Sequence, residues 1–530
     1  MAYLQSMKKR WPILAGMAVF IVAGACMNAF GGLFIPPLAL VLCVLGIWLP
    51  GRVLAEIAGA KRFGLLQTAS FAFGMLAFAA CSALASASGA LWLPWLAALR
   101  APDKPGDSWL CAAVLCLLAL YCVGGSLRFA LPVAAGGAVV PQQDFFWNVG
   151  NAQSFLLGFP PQDLRFSGYT LTYHYLSELL AAGLSMATGA SCYDIEAALL
   201  PLAGILFTVA MLWDFGRILY NGSVKKTGLL LGLVFLCGGA GLWKVFEYGR
   251  CPFWNLSVYH VLTNINGMGF GLGLLAAFFA TGTVLFRREG AARPAWLWAL
   301  HASAFVLLCF AKGPVAGVAV LAFCCAALVR LPGAGRGGMR PRACTMAWAL
   351  VLLAGFGALY LTFFSAGAGT SIHFSVFGTL EKSYFTNFIA LIRAKWPVLL
   401  GAAAPVFMLA QAVCYAPAAM PLALLGGVRD ALRVFRLPGE KLMLYAGLLG
   451  GFAAFFLFDH EAMSQMYFAF LGLLCADALA VQNLPGFAAF CARRKKAISL
   501  ACRGVVAALA LVGLVTGVCT MAQMVRETVP

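Results

Sequence analysis

The chain has 530 residues, of which 63% are hydrophobic and 10% charged, and its mean hydropathy is +0.91. A soluble domain of this length exposes far more charge, so the composition excludes a soluble enzyme, a disordered chain and a nucleic-acid-binding module. What remains is an all-α, polytopic transmembrane helix bundle, with room for about 13–15 spans at roughly 20 residues each. The net charge of +18 comes from 36 Lys and Arg against 18 Asp and Glu. In such a chain the excess marks cytoplasmic loops, not a nucleic-acid surface.

Lys8, Lys9 and Arg10 precede an apolar run without a small-residue cleavage site, which predicts a first anchor with its N-terminus in the cytoplasm. Apolar runs of spanning length lie at 12–33, 36–55, 64–84, 109–131, 197–219, 228–247, 266–286, 295–311, 313–330, 345–364, 398–427, 441–458, 466–484 and 499–520. The segment 85–99 is short and holds Pro94, but the parity of the basic loops requires it to cross. Three blocks result: N-terminal transmembrane helices over 1–108, a core over 109–330 with a long external loop at 132–196, and C-terminal transmembrane helices over 331–530.

Eight basic clusters hold 27 of the 36 Lys and Arg, and all fall on one predicted side. Among them are Arg52/Lys61/Arg62, Arg217/Lys225/Lys226, Arg287/Arg288/Arg293 and Arg429/Arg433/Arg436/Lys441. The other side receives 132–196, 248–265, Lys312, 365–397 and Asp459 to Gln465. Those segments carry His174, His260, His373 and His460, whereas His301 falls inside a span. Polar chemistry is therefore expected on the extracytoplasmic face of a multi-pass protein of the cytoplasmic (inner) membrane. The 18 cysteines sit mostly in apolar runs without zinc or redox spacing, and read as small core hydrophobes. No repeat relates the two halves, and mid-span charges are few, which weighs against an ion-coupled pump.

The segment 141–196 carries the most information. Asp144 opens a helical run in which Phe145, Phe146, Val149, Ala152, Phe155 and Leu156 recur at helical spacing, and Gly158 with Pro160/Pro161 ends it. A second run, Tyr169 to Met186, sets Tyr173, Tyr175 and Leu176 among Thr172, His174, Ser177 and Glu178, and Gly189 closes it. Two helices lying on the outer leaflet are the expectation. Asp144 also suits a helix N-cap, and His174 between two tyrosines also suits an interfacial belt.

The pattern Asp144-Phe145-Phe146-Trp147-Asn148-x-Gly150-Asn151-Ala152, Gly158-x-Pro160-Pro161, Tyr173-His174-Tyr175-Leu176, then Gly189 and a long span, resembles the first external loop of the GT-C superfamily. That superfamily contains polytopic glycosyltransferases that use lipid-phosphate sugars, among them protein mannosyltransferases and aminoarabinose transferases. The resemblance covers about 110 residues, from the span at 109 to the one ending near 219. It departs in three places: Phe145 follows the acid where Glu is frequent, the Lys-Pro-Pro that precedes the surface helix in several members is absent, and Tyr259 to Gly267 offers His260, Asn264 and Asn266 but no second acid.

The resemblance implies transfer of a sugar from a polyprenyl-phosphate donor to an envelope glycan, lipid or protein, by displacement with inversion. Asp144 would be the general base, and could also hold a divalent cation. The leaving lipid phosphate needs cations or hydrogen-bond donors, for which Arg165, His174, Lys312, Lys382, Arg393, Lys395 and His460 are candidates. Tyr173, Gln465 and Asn264 complete the expected substrate-binding set. Two other readings stay open: a transporter or flippase of lipid-linked sugars, and a non-catalytic membrane assembly factor. A transferase gathers Asp144, His174, Lys312 and His460 in one place, whereas a transporter lines a path to both faces.

Overall fold

A computed structural model describes residues 47–88, 143–166, 168–188, 191–237, 258, 261, 267–289, 291, 293–332, 338–364, 372–381, 386–460 and 464–526. The expected spans 12–33 and 109–131, most of 36–55, and 89–99 lie outside these residues. So do His260, Asn264 and Lys382.

The described chain is helical nearly throughout. In order come α1 (Leu49–Ile57), α2 (Leu66–Ser88), α3 (Gln143–Leu157), α4 (Leu176–Thr188), α5 (Leu200–Leu219), α6 (Val224–Leu236), α7 (Met268–Arg287) and α8 (Ala295–Arg330). They are followed by α9 (Met339–Leu359), α10 (Thr386–Lys395), α11 (Pro397–Tyr415), α12 (Met420–Ala431), α13 (Gly439–Leu457), α14 (Met466–Ala492) and α15 (Lys496–Arg526). Two residue pairs, β1 (His373–Phe374) and β2 (Phe458–Asp459), form a small antiparallel clip. Among the described residues, seven helices are long and apolar enough to cross a membrane. The protein is thus an all-α, multi-pass membrane bundle.

The helix α8 is a hairpin. Lys312 has φ −160° and ψ 82°, outside helical values, between two helical runs. His301 and Phe323, equidistant from Lys312 in sequence, lie ring to ring at 5.0 Å. Arg330 at one end binds Glu289, only a few residues before the other end. Two spans therefore meet at Lys312, as the runs 295–311 and 313–330 anticipate. Gly313 and Pro314 explain the reversal: Pro314 has no N–H to give to a preceding turn and suits the first turn of the returning helix.

Both ends of the hairpin lie at one end of the bundle, and the basic clusters collect there. Arg287 donates to Glu440 Oε1 at 2.9 Å and to the carbonyls of Ile218 and Leu219. Arg288 lies over the ring of Phe63. Arg330 reaches the Leu437 carbonyl, and Lys441 pairs with Asp430. Loops far apart in sequence are thus tied by ion pairs on the side that charge counting assigns to the cytoplasm.

Small residues let the helices close up. On α13, a Cβ at Gly451 would stand 2.6 Å from the Gly472 nitrogen and 2.8 Å from the Phe468 carbonyl on α14. Asp214 on α5 accepts a bond from the Thr68 amide at 2.8 Å, and so caps the first turn of α2 from another helix.

Three expectations are corrected. The run Tyr169 to Met186 becomes a helix only at Leu176, because residues before it turn back on themselves: Thr170 bridges Gln162, and the Asp163 amide donates to the Tyr169 carbonyl. Residues Ser177 to Leu184 are buried on every side of α4, so α4 presents no open polar face of the kind a helix lying on a leaflet shows. In α3 the core takes Phe145, Val149, Ala152 and Phe155, while Phe146 and Leu156 are exposed. The apolar run 398–427 is two helices, parted at Ala416–Ala419.

Gly451→Ala forces the α13–α14 backbones apart. Overpacking of this kind costs about 1–3 kcal/mol, and a lowered thermal midpoint of the detergent-solubilised protein is the expected result.

Candidate functional site

The far end of the bundle, away from the basic loops, is organised by the hairpin tip. Lys312 is buried, with 6% of its surface exposed, and its ammonium lies 3.9 Å from the centroid of Tyr467, in the first turn of α14. Phe310, next in the tip, packs on Tyr175 at 5.4 Å and on Phe363 and Phe364 at 5.3 and 5.7 Å. Gly267, at the start of α7, abuts the Ala311 carbonyl so closely that only glycine fits. The loop before α4, the π-helical turn Tyr360–Phe364 that follows α9, and the starts of α7 and α14 thus all close on this tip.

The loop before α4 delivers His174, whose ring stacks on Tyr173 at 3.9 Å. Its Nε2 is buried and has no hydrogen-bond partner among the described residues. Burial and then the charge of Lys312 hold the imidazole well below its usual pKa. It is therefore neutral near pH 7.

One turn into α4, Glu178 is 1% exposed. Ser177 Oγ donates to its Oε2 at 2.7 Å. Burial raises its pKa above the usual carboxylate range, against the lowering effects of Ser177, Lys312 and Asn151. Glu196, also 1% exposed, stands on the π-helical turn Ile195–Leu199 that leads into α5. Both carboxylate oxygens of Glu196 are buried without a hydrogen-bond partner among the described residues.

A second polar group lies beside Tyr467. Asp459 Oδ1 accepts from the His460 amide at 3.0 Å and from Gln465 Nε2 at 3.0 Å. Gln465 also reaches Thr379 Oγ1 at 3.3 Å, and Thr379 donates to the Phe455 carbonyl at 2.9 Å. His373 Nε2 stands 3.8 Å from Asp459 Oδ2 across the β1–β2 clip. The clip therefore fastens the segment around 373 onto the end of α13.

The structure brings together Lys312, His174 and Tyr173, and sets His460 and Gln465 beside Tyr467 in the neighbouring group. Arg165 stands elsewhere. It is bound bidentately to Asp163 and lies flat over Trp147, 3.4 Å from the ring centroid. Arg393 pairs with Glu381. Asp144 is the second residue of α3, and the description of its side chain lies outside the described residues, as does all of Asn264. Asn148 and Asn151 of α3 are buried, and Asn151 neighbours Glu178. Sequence reading undervalued Glu178, Glu196 and Tyr467. Glu178 read as one polar residue of an amphipathic face, and nothing in the sequence marked Glu196 as buried. Among the described residues, no three His, Cys, Asp or Glu side chains converge as a metal ligand set.

Comparison with protein-family models, curated proteins and solved structures finds no match to this chain. The site must be read from its own chemistry. It joins one buried ammonium, two buried carboxyls, a neutral imidazole and amide groups, all walled by aromatic rings. That set suits an anionic group bound at Lys312 and a proton moved nearby.

Because His174 is neutral when buried and takes a proton when unfolded, the folded state loses stability as pH falls below about 6.5. His174→Gln removes that contribution. The difference in thermal stability between the two proteins should shift in the variant's favour on going from pH 7 to pH 5, by at most about 1.4 kcal/mol per pH unit.

Proposed function

We propose that the chain is an integral membrane glycosyltransferase of GT-C type. It moves a sugar from a polyprenyl-phosphate donor to a hydroxyl or amine of an envelope glycan, lipid or protein, at the end of the bundle opposite the basic loops. One observation carries this reading. The hairpin tip buries a lysine at that end, beside His174, Glu178 and Tyr467. A lysine so placed is a point charge ready for a phosphate.

In the proposed reaction the donor's phosphodiester binds at Lys312, with the lipid chain among the apolar helices. The acceptor oxygen or nitrogen attacks the anomeric carbon and gives its proton to a carboxylate, for which Asp144 on α3 is the candidate. The anomeric C–O bond breaks, and the electron pair leaves on the lipid phosphate. Lys312 stabilises the charge that grows there. His174, being neutral, offers a hydrogen bond without adding a second charge.

The test uses Asp144→Asn and Lys312→Gln in cells, at matched protein level, with envelope glycans and lipid-linked sugars read by mass spectrometry. Loss of one modification with accumulation of its polyprenyl-phosphate sugar is the expected outcome. Removing one such charge-stabilising group typically lowers turnover by about 10²–10³-fold. Unchanged glycans in both variants would remove the reading. A sugar-lipid trapped on the cytoplasmic leaflet would point to a flippase instead.

A further inference from the structure

The basic end of the bundle carries an exposed surface that the reaction above does not use. It is built on α12 and the turn that follows. The backbone stays helical past Ala431: the Arg433 amide donates to the Asp430 carbonyl at 2.9 Å, and the Arg436 amide to the Arg433 carbonyl at 2.8 Å, in the 3-10 turn Val434–Arg436. Helical spacing sorts the side chains of this ribbon into three stripes. Leu422, Ala423, Gly426 and Asp430 are buried. They face α14, where Asn483 Nδ2 donates to the Leu422 carbonyl at 3.4 Å and abuts Gly426. The far side exposes Leu425, Val428, Leu432 and Phe435, with Leu432 94% exposed. Between the two run Arg429, Arg433 and Arg436, also exposed.

The carboxylates nearby are already engaged. Asp430 pairs with Lys441, and accepts from the Tyr445 hydroxyl at 3.0 Å and from Arg429 Nε at 3.2 Å. Glu440 pairs with Arg287, and Glu289 with Arg330. Arg433 and Arg436 have no side-chain partner among the described residues. Arg429 leaves 53% of its side chain exposed despite its contact with Asp430. The surface therefore offers a surplus of accessible positive charge beside accessible apolar area.

The position of the surface selects its partner. Directly after the turn, α13 begins at Gly439 and is long and apolar enough to cross the membrane. The Leu437 carbonyl is held by Arg330 Nη1 at 3.1 Å, at the end of α8. The three arginines thus stand where spans leave the hydrocarbon, at the level of lipid phosphates. An acidic peptide would meet the arginines and leave the apolar stripe uncovered. A phospholipid brings hydrocarbon and phosphate together in the same order as the two stripes.

We propose that α12 and the turn Val434–Arg436 form a binding site for an anionic phospholipid of the leaflet at the basic end. An acyl chain lies along Leu425 and Val428, and the headgroup phosphate meets Arg433, Arg436 and the exposed edge of Arg429. A zwitterionic lipid brings its own cation to the arginines and is held less firmly. The site is at the opposite end of the bundle from Lys312, and it stands or falls independently of the transfer reaction.

The test is a titration of the detergent-solubilised full-length protein with phosphatidylglycerol or phosphatidylcholine of the same acyl chains, with bound lipid read by native mass spectrometry. Tighter binding of phosphatidylglycerol, weakening with added salt, is expected. Other basic loops attract the same lipid, so the difference between wild type and variants isolates this site. One arginine near an anionic headgroup contributes about fivefold in affinity, so Arg433→Gln with Arg436→Gln should lose about 25-fold for the tightest phosphatidylglycerol. Both residues are exposed, so the thermal midpoint without added lipid should match that of the wild type. Arg433→Lys with Arg436→Lys keeps the charge and should retain most of the binding, which keeps the test readable if the amide variant folds poorly. Val428→Ser with Phe435→Ser should weaken the lipid without touching a charge.

Equal affinity for the two lipids, or an unchanged affinity in the amide variant, overturns the proposal. So does displacement of the lipid by glycerol phosphate at the same concentration, which would make the ligand a free phosphate. Displacement by polyglutamate, with the serine variant binding as the wild type does, would make it an acidic protein surface instead.

Discussion

The end of the bundle away from the basic loops is organised around a lysine buried in apolar surroundings. An isolated ammonium in such a medium is prohibitively unfavourable, so its surroundings have to supply compensation. Lys312 obtains it from the face of Tyr467 and from the nearby Glu178 carboxyl. The requirement reaches outward from there. Tyr467 must begin α14 at the level of the hairpin tip, Gly267 must let α7 start against Ala311, and α4 must be held deep enough to present Glu178. The tight reversal at Gly313 and Pro314 makes this possible, because it places the charge at the end of two spans and not in the middle of one.

Charge is treated differently at the two ends of the molecule. At the basic end, arginines bridge carboxylates and free carbonyls, as Arg287 does with Glu440, Ile218 and Leu219. These contacts fix how the loops sit. At the other end, Glu196 is left without a hydrogen-bond partner among the described residues, and His174 Nε2 likewise. Burying polar groups without partners is destabilising, and stable proteins retain such groups chiefly where chemistry or binding needs them. His301 is also buried: its Nδ1 meets Thr281 Oγ1 at 2.7 Å and its ring lies against Phe278 and Phe323, while its Nε2, like that of His174, has no hydrogen-bond partner among the described residues.

Much of this was legible in the sequence where one residue type stood out against its neighbours. Lys312 interrupts two apolar runs and is followed by Gly313-Pro314, so both the hairpin and its charged tip could be read. The basic clusters gave the common end for the same reason. Glu178 and Glu196 could not be read, because their significance is tertiary. In 176–188 the chain alternates leucine with Ser177, Ala181, Ala182, Gly183 and Ser185, and those small residues let α2, α3 and the turn before α5 press in from all sides. Hydrophobic periodicity reports one buried face and is blind to a short helix that neighbours enclose completely.

Arg165 and Lys312 show why burial, and not charge alone, ranks the candidates. Both are single cations in predicted external segments. Arg165 is exposed, bound to its own loop through Asp163 and spread over Trp147. An exposed pair of this kind contributes about 0–1 kcal/mol, so the contact fixes the loop 161–171 on α3 only lightly, and water already screens the charge. An arriving phosphate would gain little from it. Lys312 has few waters to lose and a fixed geometry, so the same phosphate meets a charge whose field is barely screened. The neutral His174 beside it adds a hydrogen-bonding group without a competing cation, and the aromatic walls keep the dielectric low. Binding strength at this end therefore depends on the groups that hold Lys312 in place as much as on Lys312 itself.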